Sequence, residues 1–180
     1  EYSNNSWTQL GSDIDGEASG DQFGYSTAMN SPGNRIALAA INNDGNGTSS
    51  GHVRVYEYSN NSWTQLGSDI DGEAAGDESG RTLTINGDGN ILAIGAYLND
   101  GNGSNAGHVR VYEYSNNSWT QLGSDIDGEA AGDQFGFSVA INDAGSRIAI
   151  GGIFNDSNGT DAGHVKIYDY ENGSWNLVQS

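Results

Sequence analysis

The chain has 180 residues, with 28 Gly, one Pro and no Cys, and a formal charge of −18 from 24 acids against six bases. Disulfides are excluded, and phosphate-rich partners are disfavoured, because nucleic acid and anionic membrane both need clustered Lys and Arg. No apolar run approaches the ~20 residues of a membrane span, so neither nucleic-acid binding nor membrane insertion is expected.

One repeat organises everything else. Residues 1–56, 57–112 and 113–168 align without a gap, and 169–180 begins a fourth unit that stops after Trp175. The first three units open on the same run, from Glu-Tyr-Ser-Asn-Asn-Ser-Trp to Asp-Ile-Asp-Gly-Glu-Ala. A period of 56 residues indicates a tandem array whose units bury their faces against one another. We treat residues 1–180 as one array. The opening on Glu1 rather than Met reads as a mature or excised segment.

The third unit gives the clearest pattern. Trp119–Leu122 is a short strand. Gly136–Asn142 alternates, with Phe137, Val139 and Ile141 expected on one face and Ser138 and Ala140 on the other. Asp143-Ala144-Gly145 is a tight hairpin turn. Arg147–Gly152 is a small, apolar run, as expected of a strand buried on both faces. A polar loop spans Asn155–Gly163. His164–Tyr170 alternates again, Asn172-Gly173 turns the chain, and Trp175 to Val178 follows.

These elements predict an all-β, propeller-type repeat of three four-stranded blades, with each outer strand supplied by the following unit. A β-solenoid is the structural rival, though its coils are usually shorter. Small residues at Ala37, Ala39, Ala93, Gly95, Ala149 and Gly151 suit a strand near a crowded axis. Counting strands leaves a surplus outer strand at the termini, Trp7–Leu10 at one end and Trp175–Val178 at the other. An unpaired terminal strand of that kind is a ready site for strand addition between chains. Head-to-tail assembly with copies of the same chain, closed or fibrous, is therefore expected.

Phe23-Gly24 and Phe135-Gly136 open a strand, and Gly95-Ala96 and Gly151-Gly152 close the next. This resembles the FG-GAP repeat of integrin α-subunit propellers, across all three units. The resemblance implies a propeller, commonly of seven blades, in an extracellular or cell-surface setting of adhesion or recognition. The second unit departs from it, with Ser79-Gly80 for Phe-Gly and Arg81 where Tyr25 and Phe137 stand. The family's calcium loop joins the first two strands of a blade. Here those links, 30–34, 86–90 and 142–146, are plain hairpin turns, so that calcium site is not carried over.

Three sets of candidate residues remain. The acidic run Asp13, Asp15, Glu17, Asp21 recurs as Asp69, Asp71, Glu73, Asp77 and as Asp125, Asp127, Glu129, Asp133. Asp-x-Asp-Gly offers several oxygens to a hard cation, so Ca2+ is the candidate ion, with no cofactor required. The competing reading is a loop whose carboxylates cap backbone N–H groups or face water. The Asn-rich loops at Asn43–Asn46, Asn99–Asn102 and Asn155–Asn158 read as turn chemistry before ion ligation.

N-x-S/T acceptors stand at Asn4, Asn60, Asn116 and Asn172, and again at Asn46, Asn102, Asn155 and Asn158. All fall in surface turns, which suits glycosylation.

No enzyme is expected. His52, His108 and His164 occur once per unit, with no Cys and no paired His to complete a zinc set. No nucleophile elbow or phosphate loop is present. Trp7, Trp63, Trp119 and Trp175 read as packing between blades before any sugar platform. Two functions follow from the sequence. The first is a structural or adhesive extracellular protein whose blades assemble through strand pairing. The second is a ligand-binding propeller that takes a protein or glycan at one rim, with Arg81 the place to look.

Overall fold

A computed structural model describes residues 1–179. Every regular element among them is a β-strand. A two-residue Asn4-Asn5 turn joins β1 (Tyr2–Ser3) to β2 (Ser6–Trp7). Three antiparallel sheets then follow along the chain. The first blade runs β3 (Phe23–Met29), β4 (Arg35–Ala40), β5 (His52–Ser59) and β6 (Ser62–Gln65). The second runs β8 (Thr82–Ile85), β9 (Ile91–Ala96), β10 (His108–Ser115) and β11 (Ser118–Gln121). The third runs β13 (Phe135–Ile141), β14 (Arg147–Gly152), β15 (His164–Glu171) and β16 (Ser174–Gln179). Two short strands, β7 (Ile70–Asp71) and β12 (Ile126–Asp127), lie beside β5 and β10 at their His ends.

Each blade therefore crosses a unit boundary, its outer strand coming from the next unit as the sequence suggests. The surplus differs from expectation. It is a whole hairpin at the N-terminus, and of the expected Trp7–Leu10 strand only Trp7 pairs there. The C-terminal strand is not surplus, because β16 completes the third blade.

The turns follow from side-chain chemistry. Asn4-Asn5, Asn60-Asn61, Asn116-Asn117 and Asn172-Gly173 all have positive φ at both positions. That is the type I′ geometry that matches strand twist, and Asn and Gly tolerate it best. In the first hairpin of each blade the Asn side chain holds the turn. Asn86 Oδ1 accepts the Asn90 and Ile91 amides at 2.9 and 2.8 Å, and Asn30 and Asn142 repeat this.

The core lies between blades. One cluster joins Ala37, Ala39, Val53 and Val55 of the first blade to Leu83, Ile85, Leu92 and Ile94 of the second. The next joins Ala93, Val109, Val111 and Ile126 to Phe135, Ile148 and Ile150 of the third. The small-residue strands β4, β9 and β14 are second strands. The first strands lie one place further in, where they meet from blade to blade. Smallness at these positions admits the neighbouring blade. A Cβ built on Gly95 would stand 2.3 Å from the Gly136 carbonyl oxygen, and one on Gly80 would stand 2.6 Å from Ala39 Cβ.

The alternation along β13 carries one irregularity: the pairing register shifts between Phe135 and Ser138. Gly136, at φ +89°, lies in that bulge. Phe135 is 1 % exposed and Phe137 38 %, and Phe137 and Val139 both meet the second blade. In the second blade Ser79 occupies the Phe135 position. Its Oγ is buried without a hydrogen-bond partner. Ser79→Ala is expected to stabilise the protein by about 1 kcal/mol, by removing an unmatched hydroxyl. A denaturant midpoint at or below that of the parent would contradict this.

Candidate functional site

The functional side chains gather at the seams between blades. Each seam is first a backbone structure. The acidic link of one unit runs along the Asn-rich loop of the unit before it. At the second seam the amides of Gly128, Gly132, Gln134 and Phe135 donate to the carbonyls of Gly107, Ser104, Asn105 and Ala106, at 2.8–3.1 Å. At the first seam Gly72, Gly76, Glu78 and Ser79 bond in the same way to Gly51, Thr48, Ser49 and Ser50.

The acidic run is dispersed by this arrangement. Asp13, Asp69 and Asp125 accept from the Gln four residues earlier, at 2.6–2.7 Å. Asp15 and Asp71 offer backbone carbonyls to Arg54 and Arg110, at 3.0 and 2.8 Å. Asp127, in β12, is pushed up by burial and then by Asp125. Glu17 and Glu73 face Arg54 and Arg110 at 3.4 Å, and Glu129 pairs with Lys166. Asp21, Asp77 and Asp133 are buried and receive the Asn43, Asn99 and Asn155 side-chain amides at 2.8–3.0 Å. The four acids of one run thus face different partners, and among the described residues at most two of a run, Glu129 and Asp133, come together.

A different grouping forms instead. Glu17 of one run and Asp69 of the next meet at His52, Glu73 and Asp125 meet at His108, and Glu129 and Asp133 meet at His164. In each triplet the donor atoms lie within 4.8 Å of one another. His108 Nδ1 stands 3.8 Å from Glu73 Oε2 and 3.9 Å from Asp125 Oδ2, too long for hydrogen bonds. Burial, and then the Arg110 guanidinium, push the His108 imidazole down from 6.5 to about 4. It is therefore neutral at pH 7, the form that ligates metals. Burial raises Glu73, against the pull of Arg110. Two carboxylates and an imidazole suit a divalent cation, although Arg or Lys already neutralises each Glu. The sequence reading missed this grouping, because each His lies 17 to 35 positions from the acids it meets. The only signal was that His and acids recur at the same phase.

The Asn-rich loops close on themselves, as turn chemistry predicts. Asp44, Asp100 and Asp156 accept the backbone amides of Ser49, Asn105 and Asp161 at 2.7–2.8 Å. Asn46 and Asn102 reach across the seam to the Gly72 and Gly128 carbonyls, at 2.9 and 2.7 Å. Of the glycosylation acceptors, Asn4, Asn60, Asn116 and Asn172 sit exposed at hairpin tips, and Asn158 is also exposed. Asn155 is a correction. It is 4 % exposed, and its amide nitrogen is bonded to Asp133 at 2.8 Å, which leaves no room for a glycan.

The tryptophans bridge blades, as expected. Trp63, Trp119 and Trp175 donate their indole N–H to the carbonyls of Leu10, Leu66 and Leu122, at 2.8–2.9 Å. Each rests on a glycine (Gly11, Gly67 or Gly123) that has no side chain to intervene. Trp7, with no such partner, is 80 % exposed.

Arg81 breaks the symmetry. Its guanidinium carbon lies 5.0 Å from the Tyr25 ring centre and 4.9 Å from that of Tyr97, a sandwich across two blades. Glu78 accepts from both Arg81 and the Tyr97 hydroxyl, at 3.3 and 3.2 Å. The edge of the group is Phe137, which meets the Tyr97 ring at 5.8 Å.

Stacked four-stranded sheets with symmetric seams define a β-propeller-type repeat protein. Residues 69–112 match the family model of the FG-GAP repeat, from the acidic run to the body of β10. The chain thus carries an FG-GAP repeat, and its neighbours to either side are near-copies of that sequence. No curated protein matches the chain. Among solved structures it is similar to a putative 6-phosphogluconolactonase from Bacteroides uniformis ATCC 8492, with a TM-score of 0.56 at 12 % identity, over 85 % of this chain and 38 % of that one. It is also similar to the tricorn protease, with a TM-score of 0.51 at 10 % identity, over 83 % of this chain and 14 % of that one. At these identities the likeness is one of fold alone. The chain spans well under half the length of either structure.

Proposed function

We propose that the chain is a non-enzymatic structural or adhesive repeat module, extracellular or at the cell surface, that works by joining further units of its own kind. The observation that carries this reading is how its reactive side chains are used. Acids, amides and indoles sit in equivalent seams and hold one blade to the next. An active site usually departs from repeat symmetry, and these seams keep it. The acidic surface and the exposed acceptors Asn4, Asn60, Asn116, Asn158 and Asn172 suit a secreted, glycosylated protein. Among the described residues no helix is long and apolar enough to cross a membrane. The test is electron microscopy of protein purified from a secreting eukaryotic host. Rings or fibres of several copies are expected, and a field of lone three-blade particles would refute the assembly reading.

A second reading rests on the Tyr25–Arg81–Tyr97 sandwich. A rim that departs from repeat symmetry is where a ligand-binding propeller would take a protein or glycan, with a Ca2+ or other divalent ion at the Glu–His–Asp triplets. On that reading, Arg81→Ala abolishes ligand capture and leaves the melting temperature within a degree or two. Equal capture by the variant removes it.

A further inference from the structure

Two buried imidazoles face carboxylate oxygens across gaps too wide for hydrogen bonds. The side chains of His52 and His108 are each 2 % exposed. His52 Nδ1 stands 3.6 Å from Asp69 Oδ2, and its Nε2 is buried with no hydrogen-bond partner. His108 Nδ1 stands 3.8 Å from Glu73 Oε2 and 3.9 Å from Asp125 Oδ2. An imidazole that bonds a carboxylate directly closes to about 2.7–3.2 Å. Buried polar groups are ordinarily paired, so an imidazole held back from the acids it faces points to something between them.

The carboxylates are prepared alike at both sites. Asp69 Oδ1 accepts from Gln65 and Asp125 Oδ1 from Gln121, both at 2.6 Å. The second oxygen of each aspartate is the one turned to the imidazole. Each glutamate meets an arginine through Oε1, Glu17 with Arg54 and Glu73 with Arg110, at 3.4 Å. That contact leaves Glu73 Oε2 facing His108. Donors that grip a carboxylate from behind are how proteins orient the ligands of a metal. The three donor atoms of each triplet lie within 4.8 Å of one another.

We propose that Glu17–His52–Asp69 and Glu73–His108–Asp125 each bind one divalent transition-metal ion of the zinc class, through Nδ1 and two carboxylate oxygens. An imidazole beside carboxylates suits zinc and its neighbours, whereas calcium takes six to eight oxygens. The oxygens already held by Gln and Arg leave too few for calcium. Zinc ligands at about 2.0–2.2 Å stand roughly 3.3–3.6 Å apart in a tetrahedron. The separations of 3.6–3.9 Å need only a small contraction to reach that. The Glu73 side chain is 42 % exposed and that of Asp125 31 %, which gives the ion a way in and leaves its fourth position to water. Surplus negative charge draws cations to the protein, while Arg54 and Arg110 act against the ion and hold the affinity to a moderate value.

The ion acts as a staple. Glu73 comes from the link that enters the second blade, His108 from β10 within it, and Asp125 from the link that leaves it. One ion therefore ties a blade to both of its links. Glu17, His52 and Asp69 stand in the same relation to the first blade. Such sites require neither assembly into larger arrays nor a ligand at Arg81, and they narrow the ion named with that ligand to the zinc class.

The test uses the whole chain, stripped with a chelator and exchanged into clean buffer, with zinc, cobalt and calcium chlorides as probes. Zinc at a hundredfold excess over Kd is expected to raise the melting temperature by at least about 5 °C. Calcium at the same concentration is expected to leave it unchanged. Cobalt is expected to give the visible absorption of a low-coordinate site, which zinc then bleaches. His108→Gln is expected to lower the zinc bound per chain by one ion. Glu73→Gln changes a side chain that is 42 % exposed, so the fold survives it. It is expected to weaken one site by more than the ~10-fold that loss of an outer partner costs. Arg81→Ala is expected to bind zinc as the parent does, which separates these sites from any ligand captured at Arg81. No stabilisation by zinc, a calcium shift equal to that of zinc, or undiminished binding in both His108→Gln and Glu73→Gln would overturn the proposal. The assembly reading stands or falls separately, by microscopy.

Discussion

Acidification from pH 7 to pH 5 is expected to remove about 2 kcal/mol of stability through His108 alone, rising to roughly 3 kcal/mol at pH 4. The imidazole is 1 % exposed. Burial and Arg110 hold it at about 4 against an ordinary 6.5. A depressed folded-state value means that the unfolded chain takes up the proton first as pH falls. The stabilisation is complete above pH 6.5 and drains away towards pH 4. Glu73 and Asp127, raised by burial, act in the opposite sense, returning stability as pH falls from their raised values to the ordinary carboxylate range. The His108→Gln variant, compared over pH 7 to pH 5, therefore isolates the imidazole. Urea midpoints at the two ends measure the effect. His108→Gln should flatten the slope whatever it does to stability at pH 7. An unchanged slope in that variant would show that His108 is not the titrating group.

Phe135→Ala is expected to destabilise by about 3–5 kcal/mol, the range for emptying a buried aromatic site. Phe135 is the largest fully buried side chain, and it packs against Val109, Ile126 and an edge-on His164 ring at 5.6 Å. Phe23 occupies the same sequence position in the first blade but has no blade before it. It is only half-buried, with Arg54 stacked 4.3 Å over its ring. In a dilute, single-copy state Phe23→Ala should cost less than half as much. Comparable losses would mean that the first seam position is filled even in the single copy.

Much of this architecture can be read directly from the residues. Arg147–Gly152 is a strand with the bounds its composition suggests, and the Asn172-Gly173 turn lies where turn chemistry puts it. Blade membership is legible because the phase of the hairpins forces Ser118–Gln121 onto the preceding sheet. The bulge in β13 is not legible, because nothing in the alternation marks Gly136 and Phe137 as two residues inserted between the paired Phe135 and Ser138. The acidic run misleads for a different reason. Proximity in sequence suggests a shared ligand, whereas an extended link spreads successive carboxylates along the seam. At the first two seams the carboxylates that converge belong to different repeats, and only the stacking of blades shows which; at the third, Glu129 and Asp133 come from one run. Arg81 stands out in the sequence as a departure, but its tyrosine partners come from two blades and appear only in the fold.

The offset between repeat and blade bears on how such arrays change over generations. Each sheet draws its fourth strand from the following copy, and every seam joins identical phases. Insertion or loss of any 56-residue block, wherever the crossover falls, restores a whole sheet and two intact seams. Recombination can therefore lengthen or shorten the array freely, while the chemistry of each junction stays fixed.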